Sequence, residues 1–311
     1  MKLSFEQIKS IAFGTTSIWQ EEDGIHFRRC TQAQIDSWYE SRENLGDGST
    51  RTTGISLDFH TDSPWLTLIF SGCNQLDILV DGIMYWCHNA TSPDLHLALP
   101  EGEHRITVVF PSHSNDRPFL QTLELADGAS LRPHNFDRKI LFLGDSITQG
   151  WRSSRDSYSW AWLTCLMLNA EGLNQGIGGS WAKPAAFPLD VDFDPDTVIV
   201  SYGTNDWGHR PTLEALKEAH DAYWDLVCEK YAGKKLIGIS PLYRFNAEEN
   251  KRMGNFFDCC ETVRNSIRSR KEVVFVDGFD LIPHQELFFA DGLHPLDIGY
   301  RTFSDNLMKY L

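Results

Sequence analysis

The stretch KILFLGDSITQGW, residues 139–151, decides how the chain is read. Lys139 to Leu143 has the length and the Ile, Leu and Phe content of an interior strand, and Gly144 breaks it. A small polar cluster, Asp145-Ser146, follows at once. Serine after a strand ordinarily caps the next helix, yet a serine at a strand end is also placed to act as a nucleophile. The ends of the other strands separate the two readings.

Downstream of residue 135, apolar runs alternate with longer helical patterns. The runs are KILFLG, TVIVSYGT, KKLIGISP and EVVFVDG, with Leu173 to Ile177 as one more short strand. Helical patterns fall near residues 157–170, 212–231, 247–269 and 297–310. Strand and helix in alternation imply a parallel sheet covered on both faces, with its ligand site beyond the carboxyl ends of the strands. Upstream the grammar differs. Between residues 50 and 126 the segments GISLDFH, WLTLIF, LDILVDG, LHLAL, HRITVVF and LQTLELADG are short and alternating. Turn signals at Asp62-Ser63-Pro64, Asp81-Gly82, Pro93-Asp94 and Pro100-Glu101-Gly102 divide them. Such strands without helices between them predict an antiparallel sandwich of jelly-roll type. Residues before 50, with Thr31 opening a short helix, read as a lead-in to that sandwich. Two domains are expected, residues 1–134 and 135–311.

The carboxyl ends of the later strands carry an unusual set of residues. The first ends in Gly144-Asp145-Ser146, the second in Asn174-Gln175-Gly176-Ile177-Gly178-Gly179, and the third in Gly203-Thr204-Asn205-Asp206. After the last strand comes Asp291-Gly292-Leu293-His294-Pro295, with Pro295 read as the first position of a helix. Three-residue spacing brings Asp291 and His294 to one side of a turn, so that Asp291 accepts from Nδ1 and leaves Nε2 for a substrate or a hydroxyl. Ser146 is the hydroxyl candidate, since it sits where a helix N-terminus supplies orphan N–H groups. Attack on a carbonyl also needs donors for the developing oxyanion, and the Ser146 N–H, the Gly179 N–H and the Asn205 amide are candidates.

These blocks resemble the SGNH, or GDSL-type, hydrolases, whose four blocks supply Ser, Gly, Asn and His in that order. Here they read GDSIT, NQGIGG, GTND and DGLHP, over about residues 139–310. The resemblance implies a three-layer α/β/α sandwich with a flavodoxin-like parallel sheet. It implies Ser146 as nucleophile, Gly179 and Asn205 as oxyanion donors, and Asp291 and His294 as acid and base. For the glycine, Gly176 and Gly178 stand in the same run. Some carbohydrate esterases of the family carry a jelly-roll domain before the hydrolase, and this chain is similar to them in layout.

The expected activity is therefore hydrolysis of short-chain acyl esters, acetyl groups on a carbohydrate in particular. Trp181 and Trp207, close to two of the blocks, are candidate substrate-binding residues, and Trp151 is a weaker one. An acyltransferase with the same triad is an alternative. A non-catalytic carbohydrate-binding protein on this fold is another, but it would be expected to lack Ser146 or His294. No metal or cofactor is implied. No zinc cysteine set, H-E-x-x-H or Walker glycine loop occurs, and the acidic run Asp190 to Asp196 lacks the glycine and glutamate of a calcium loop. G-x-S-x-G is also absent.

Composition narrows the partners. The chain has 311 residues, 41% apolar and 23% charged, with 43 acidic against 28 basic residues and a formal charge of −15. Such a chain repels phosphate backbones and anionic membranes, so neither nucleic acid nor membrane is an expected partner. Glu6, Gln7 and Lys9 interrupt the first twenty residues, so no secretory signal is expected, and no run is long enough to span a bilayer. Seven cysteines without C-x-x-C spacing read as reduced thiols of a cytoplasmic protein, with Cys259 and Cys260 packing on a helix.

Overall fold

Side-chain alternation along Lys139–Leu143 sets the layering of the C-terminal half. In the computed structural model, which describes residues 1–72, 75–88, 94–112 and 117–311, this segment lies within strand β1 (Arg138–Gly144). Ile140 and Phe142 face one apolar cluster, Leu141 and Leu143 another, and all four are buried. A strand covered on both faces needs apolar residues at every position, which is why the run is continuous. The partners are β2 (Ala170–Gly176), β3 (Thr197–Ser201), β4 (Lys235–Ile239) and β5 (Val273–Val276), all parallel, in the order β2-β1-β3-β4-β5. This is the flavodoxin-like order. Helices Leu213–Lys230 and Phe256–Arg268 cover one face, and helices Trp160–Leu168 and Asp297–Leu307 the other, giving the α/β/α sandwich.

Register places the strand ends in one row. Gly176 pairs with Gly144, Gly144 with Ser201, Ser201 with Ile239 and Ile239 with Val276. Asp145-Ser146, Gly178-Gly179 and Asn205 therefore leave the sheet at a common edge.

The preceding residues form two antiparallel sheets packed on a shared apolar core. One has the order Ala12–Phe13, Ser56–Thr61, His104–Val109, Leu76–Val80, Ile83–His88, and Arg132–Pro133 also pairs with Ser56–Thr61. The other runs Ser17–Gln20, Ile25–Arg28, Phe119–Leu125, Trp65–Ser71, Asp94–Ala98. All six alternating segments of the sequence reading are strands, and Asp81-Gly82, both at positive φ, turn the hairpin between Val80 and Ile83. Cys73 and Pro93 lie outside the described residues. The six described cysteines are free, and Cys259 and Cys260 are both buried on helix Phe256–Arg268.

Residues before 50, read as a lead-in to the sandwich, contribute three of its strands and a helix, Phe5–Ile11, and two further expectations need correction. Only Gln32–Ser41, capped by Thr31, was legible there, and it is followed by a second helix, Glu43–Ser49. Helix 247–269 is shorter than its periodicity suggests. It begins at Phe256, where the Asn255 side chain accepts the Asp258 N–H, and the residues before it form a loop carrying Arg244 and Lys251. Pro295 precedes the last helix, whose N-cap is Leu296.

Candidate active site

Asp145 answers the question raised by the first strand end. It is the N-cap of the short helix Ser146–Gln149, its carboxylate accepting the Ile147 N–H at 2.9 Å. Ser146 is thus the first helical residue, and its hydroxyl is not needed for capping. Ser146 Oγ instead lies 2.9 Å from His294 Nε2. The helix ends after one turn at Gly150, with φ of 94°. Only a residue tolerant of the left-handed region turns the chain so sharply.

Asp291 organises the opposite end of the imidazole. Its Oδ1 accepts the backbone N–H groups of Leu293 at 3.2 Å and His294 at 2.8 Å, and its Oδ2 stands 2.9 Å from His294 Nδ1. Burial pushes the Asp291 carboxyl up, but these bonds outweigh it and hold the group below the usual range. For His294 burial is the larger influence and lowers the imidazole, Asp291 opposes, and Arg152 and Arg244 lower it further. The net result is a neutral imidazole able to take a proton from Ser146 near neutral pH. Asp145, buried beneath, has its carboxyl pushed up to about 7, mainly by burial and also by Asp206.

The candidate oxyanion donors are set by turns. Gly179 has φ of 82°. The backbone N–H groups of Ser146 and Gly179 have no acceptor among the described residues. The Gly178 N–H, by contrast, is bound to Gln149 Oε1 at 2.7 Å, and the Gly176 N–H to Asn174 Oδ1 at 2.9 Å. Of the three glycines, only Gly179 keeps a donor unused. Asn205 Nδ2 donates to Ser180 O at 2.8 Å, which orients the amide and leaves its second N–H unbound.

The two tryptophans part company. Trp181 is half-buried, its ring 4.2 Å from that of His209 and 5.8 Å from that of Trp38. Trp207 is fully buried in the core and donates to Gly254 O at 3.0 Å. The Arg244 guanidinium, 4.8 Å away, and the Lys251 ammonium, 3.9 Å away, sit over its ring. Trp207 presents no face to a ligand, so the expectation that it binds substrate is corrected. Large aromatic area next to a strand end was better buried than exposed.

The sequence reading missed the contribution of the N-terminal helices. Leu45 Cδ2 lies 3.6 Å from where a Cβ on Gly179 would stand, and Trp38 and Leu45 share an apolar cluster with Ile177, Ala186 and Trp181. Arg42 Nη2 is 3.2 Å from His209 Nδ1 and its guanidinium stands over Trp181. Trp38 on a well-capped helix was the one available signal. Gln149 was missed as well: it bridges the Gly178 N–H to Ser112 O and so holds the glycine run against helix Ser146–Gln149. A separate cavity between sandwich and hydrolase, lined by Thr53, Arg105, Trp162 and Asn174 among others, contains none of the candidate residues.

Residues 142–302 match the model of the GDSL-like lipase/acylhydrolase family. That is more than half of the chain, and the protein belongs to this family of ester hydrolases. No curated protein matches it in sequence. Among solved structures, the salicylyl-acyltransferase SsfX3 from a tetracycline biosynthetic pathway superposes with a TM-score of 0.82 at 19% identity, covering 96% of this chain and 93% of its own. A putative GDSL-like lipase from Bacteroides ovatus gives 0.75 at 17% identity, over 100% and 95%. A family two carbohydrate esterase from Clostridium thermocellum, solved in complex with cellohexaose, gives 0.63 at 17% identity, over 83% and 93%. At these identities the likeness is one of fold.

Proposed function

We propose that the chain is a serine esterase acting on short acyl esters through an acyl-enzyme intermediate. The observation that carries this reading is the line Ser146 Oγ, His294 Nε2, His294 Nδ1, Asp291 Oδ2, with 2.9 Å at each hydrogen bond. Ser146 attacks the carbonyl while His294 takes its proton. Asp291 holds the imidazole tautomer and stabilises the imidazolium without itself becoming protonated. The N–H groups of Ser146 and Gly179 and the Asn205 amide receive the oxyanion. His294 then protonates the leaving alcohol, and water, activated by the same imidazole, releases the acid.

Acetyl esters of carbohydrates are the preferred substrates in this reading, supported by the sandwich-plus-hydrolase layout shared with the Clostridium thermocellum esterase. The division between sandwich and hydrolase is placed near residue 135, and the free described cysteines support a reducing, cytoplasmic setting. A second reading, transfer of the acyl group to an acceptor hydroxyl, is favoured by the likeness to SsfX3 over 96% of the chain. Release of 4-nitrophenol from its acetate, butyrate and octanoate esters tests the serine mechanism. Turnover is expected to fall about 10⁴-fold or more in Ser146→Ala and His294→Ala. Unchanged turnover in both would remove the assignment, and product analysis with added polyols separates transfer from hydrolysis.

A further inference from the structure

Two cations stand over Trp207 without an ion-pair partner among the described residues. Arg244 and Lys251 lie on the loop after β4, and Phe245 N–H ties this loop to Gly292 O, at 2.9 Å, in the turn between Asp291 and His294. Both charged groups rest on Trp207, two residues beyond Asn205, and the Arg244 guanidinium is also 5.3 Å from the Phe256 ring. Arg244 therefore lies between the Asn205 segment and the His294 turn, with Lys251 on the Asn205 side near Gly208. Arg244 is near enough to bear on the titration of both His294 and Asp145.

Their donors are largely unused. Arg244 Nε donates to Asn246 Oδ1 at 2.6 Å, while its terminal nitrogens and Lys251 Nζ have no acceptor among the described residues. The nearby Glu249 carboxylate accepts from Asn246 Nδ2 instead, at 2.9 Å. Ring faces compensate part of the charge but none of the N–H groups. Burial lowers both groups from their ordinary values, Arg244 lowers Lys251 further, and Glu249 opposes in each case without forming an ion pair. In a chain of net charge −15, with carboxylates in excess, the partly buried Arg244 guanidinium stands unpaired among the described residues beside the exposed Lys251, and leaving a partly desolvated cation so is costly. A planar guanidinium fork beside an ammonium matches a carboxylate, sulfate or phosphate.

We propose that Arg244 and Lys251 are specificity residues that seat an anionic oxygen group of the ester substrate. This rests on the esterase reading, and the anion belongs either to the acyl half or to the leaving alcohol. The test compares kcat/KM for two matched pairs, 3-acetoxybenzoate against phenyl acetate, and the mono-4-nitrophenyl ester of isophthalate against 4-nitrophenyl benzoate. One anionic member is expected to exceed its neutral partner about tenfold, with the ratio falling about tenfold in Arg244→Gln and Lys251→Gln and partly kept in Arg244→Lys. Added salt shrinks the preference. The pair that shows it tells which half carries the charge. Ratios at or below one in both pairs, or ratios unmoved in both Gln variants, overturn the proposal while leaving the esterase reading intact. If the wild type cleaves no ester, the esterase reading fails instead, and binding of benzoate against benzamide to Ser146→Ala decides the anion site. Benzoate is expected to bind more tightly, by a margin lost on adding Arg244→Gln; equal binding overturns it.

Discussion

At the scale of single residues, the candidate site divides labour among groups whose protonation states differ by environment. His294 is lowered chiefly by burial, with Arg152 and Arg244 adding to the effect. A base must be neutral to act, and a lowered value keeps it neutral to lower pH. The acid limb of kcat/KM is therefore expected below the ordinary imidazole value of about 6.5, with a plateau by about pH 7. Asp291 raises His294, so Asp291→Asn shifts that limb further down while reducing the plateau. A limb above 6.5 in the wild type would contradict the description. Asn205 is oriented by Ser180 O, and Asn205→Ala is expected to reduce kcat about 10² to 10³-fold with little change in KM. A loss confined to KM, in steady-state kinetics, would remove Asn205 from the oxyanion side.

Elements are held to each other at this site by polar groups more than by propensity. Glu43–Ser49 contains two glycines and an aspartate, and would not persist alone. Arg29 fixes it. The Arg29 side chain is buried and donates to Gly48 O at 2.9 Å, Arg51 O at 2.8 Å and Asn174 O at 2.7 Å. These bonds join the helix and the chain after it to the strand that leads into Gly179. Substituting Arg29→Met removes all three donors and leaves buried carbonyls unsatisfied. The expected loss is about 3 kcal/mol or more, read from the urea midpoint at unchanged m. A neutral result would mean that the helix is held by Leu45 and Trp38 alone.

For the whole molecule, the sandwich and the hydrolase share a polar interface. Arg155 Nε donates to Asp77 Oδ1 at 2.6 Å, and Ser157 Oγ to Asp77 Oδ2 at the same distance. Asp156 accepts from the Ser112 N–H at 2.6 Å, and Gln34 Nε2 donates to Gln175 Oε1 at 3.0 Å. All these groups are buried, so separating the two parts would break these bonds and expose charges and amides to water. Chemical denaturation followed by tryptophan fluorescence and far-UV circular dichroism is expected to give one coincident transition. Two resolved transitions would show that the parts unfold independently.

Much of this was legible in the chain. Continuous apolar runs mark strands covered on both faces, alternating runs mark the sandwich, and three polar blocks at strand ends with a fourth before the last helix mark the candidate site, because period and breaker residues are local properties. Asp291-Gly-Leu-His294 is local too, since a three-residue spacing closes one turn. What lay out of reach depends on contacts between distant segments. The burial of Trp207, the approach of Leu45 to Gly179, the choice of Gly179 over Gly178 as the glycine with an unused N–H, and the gathering of Arg244 and Lys251 over one indole ring all arise this way. The sequence alone determined which residues end the strands, since local sterics and hydrophobic period act over a few positions. Only the tertiary structure decided which of their neighbours reach the site, because burial and hydrogen-bond partners are set by segments far apart in the chain.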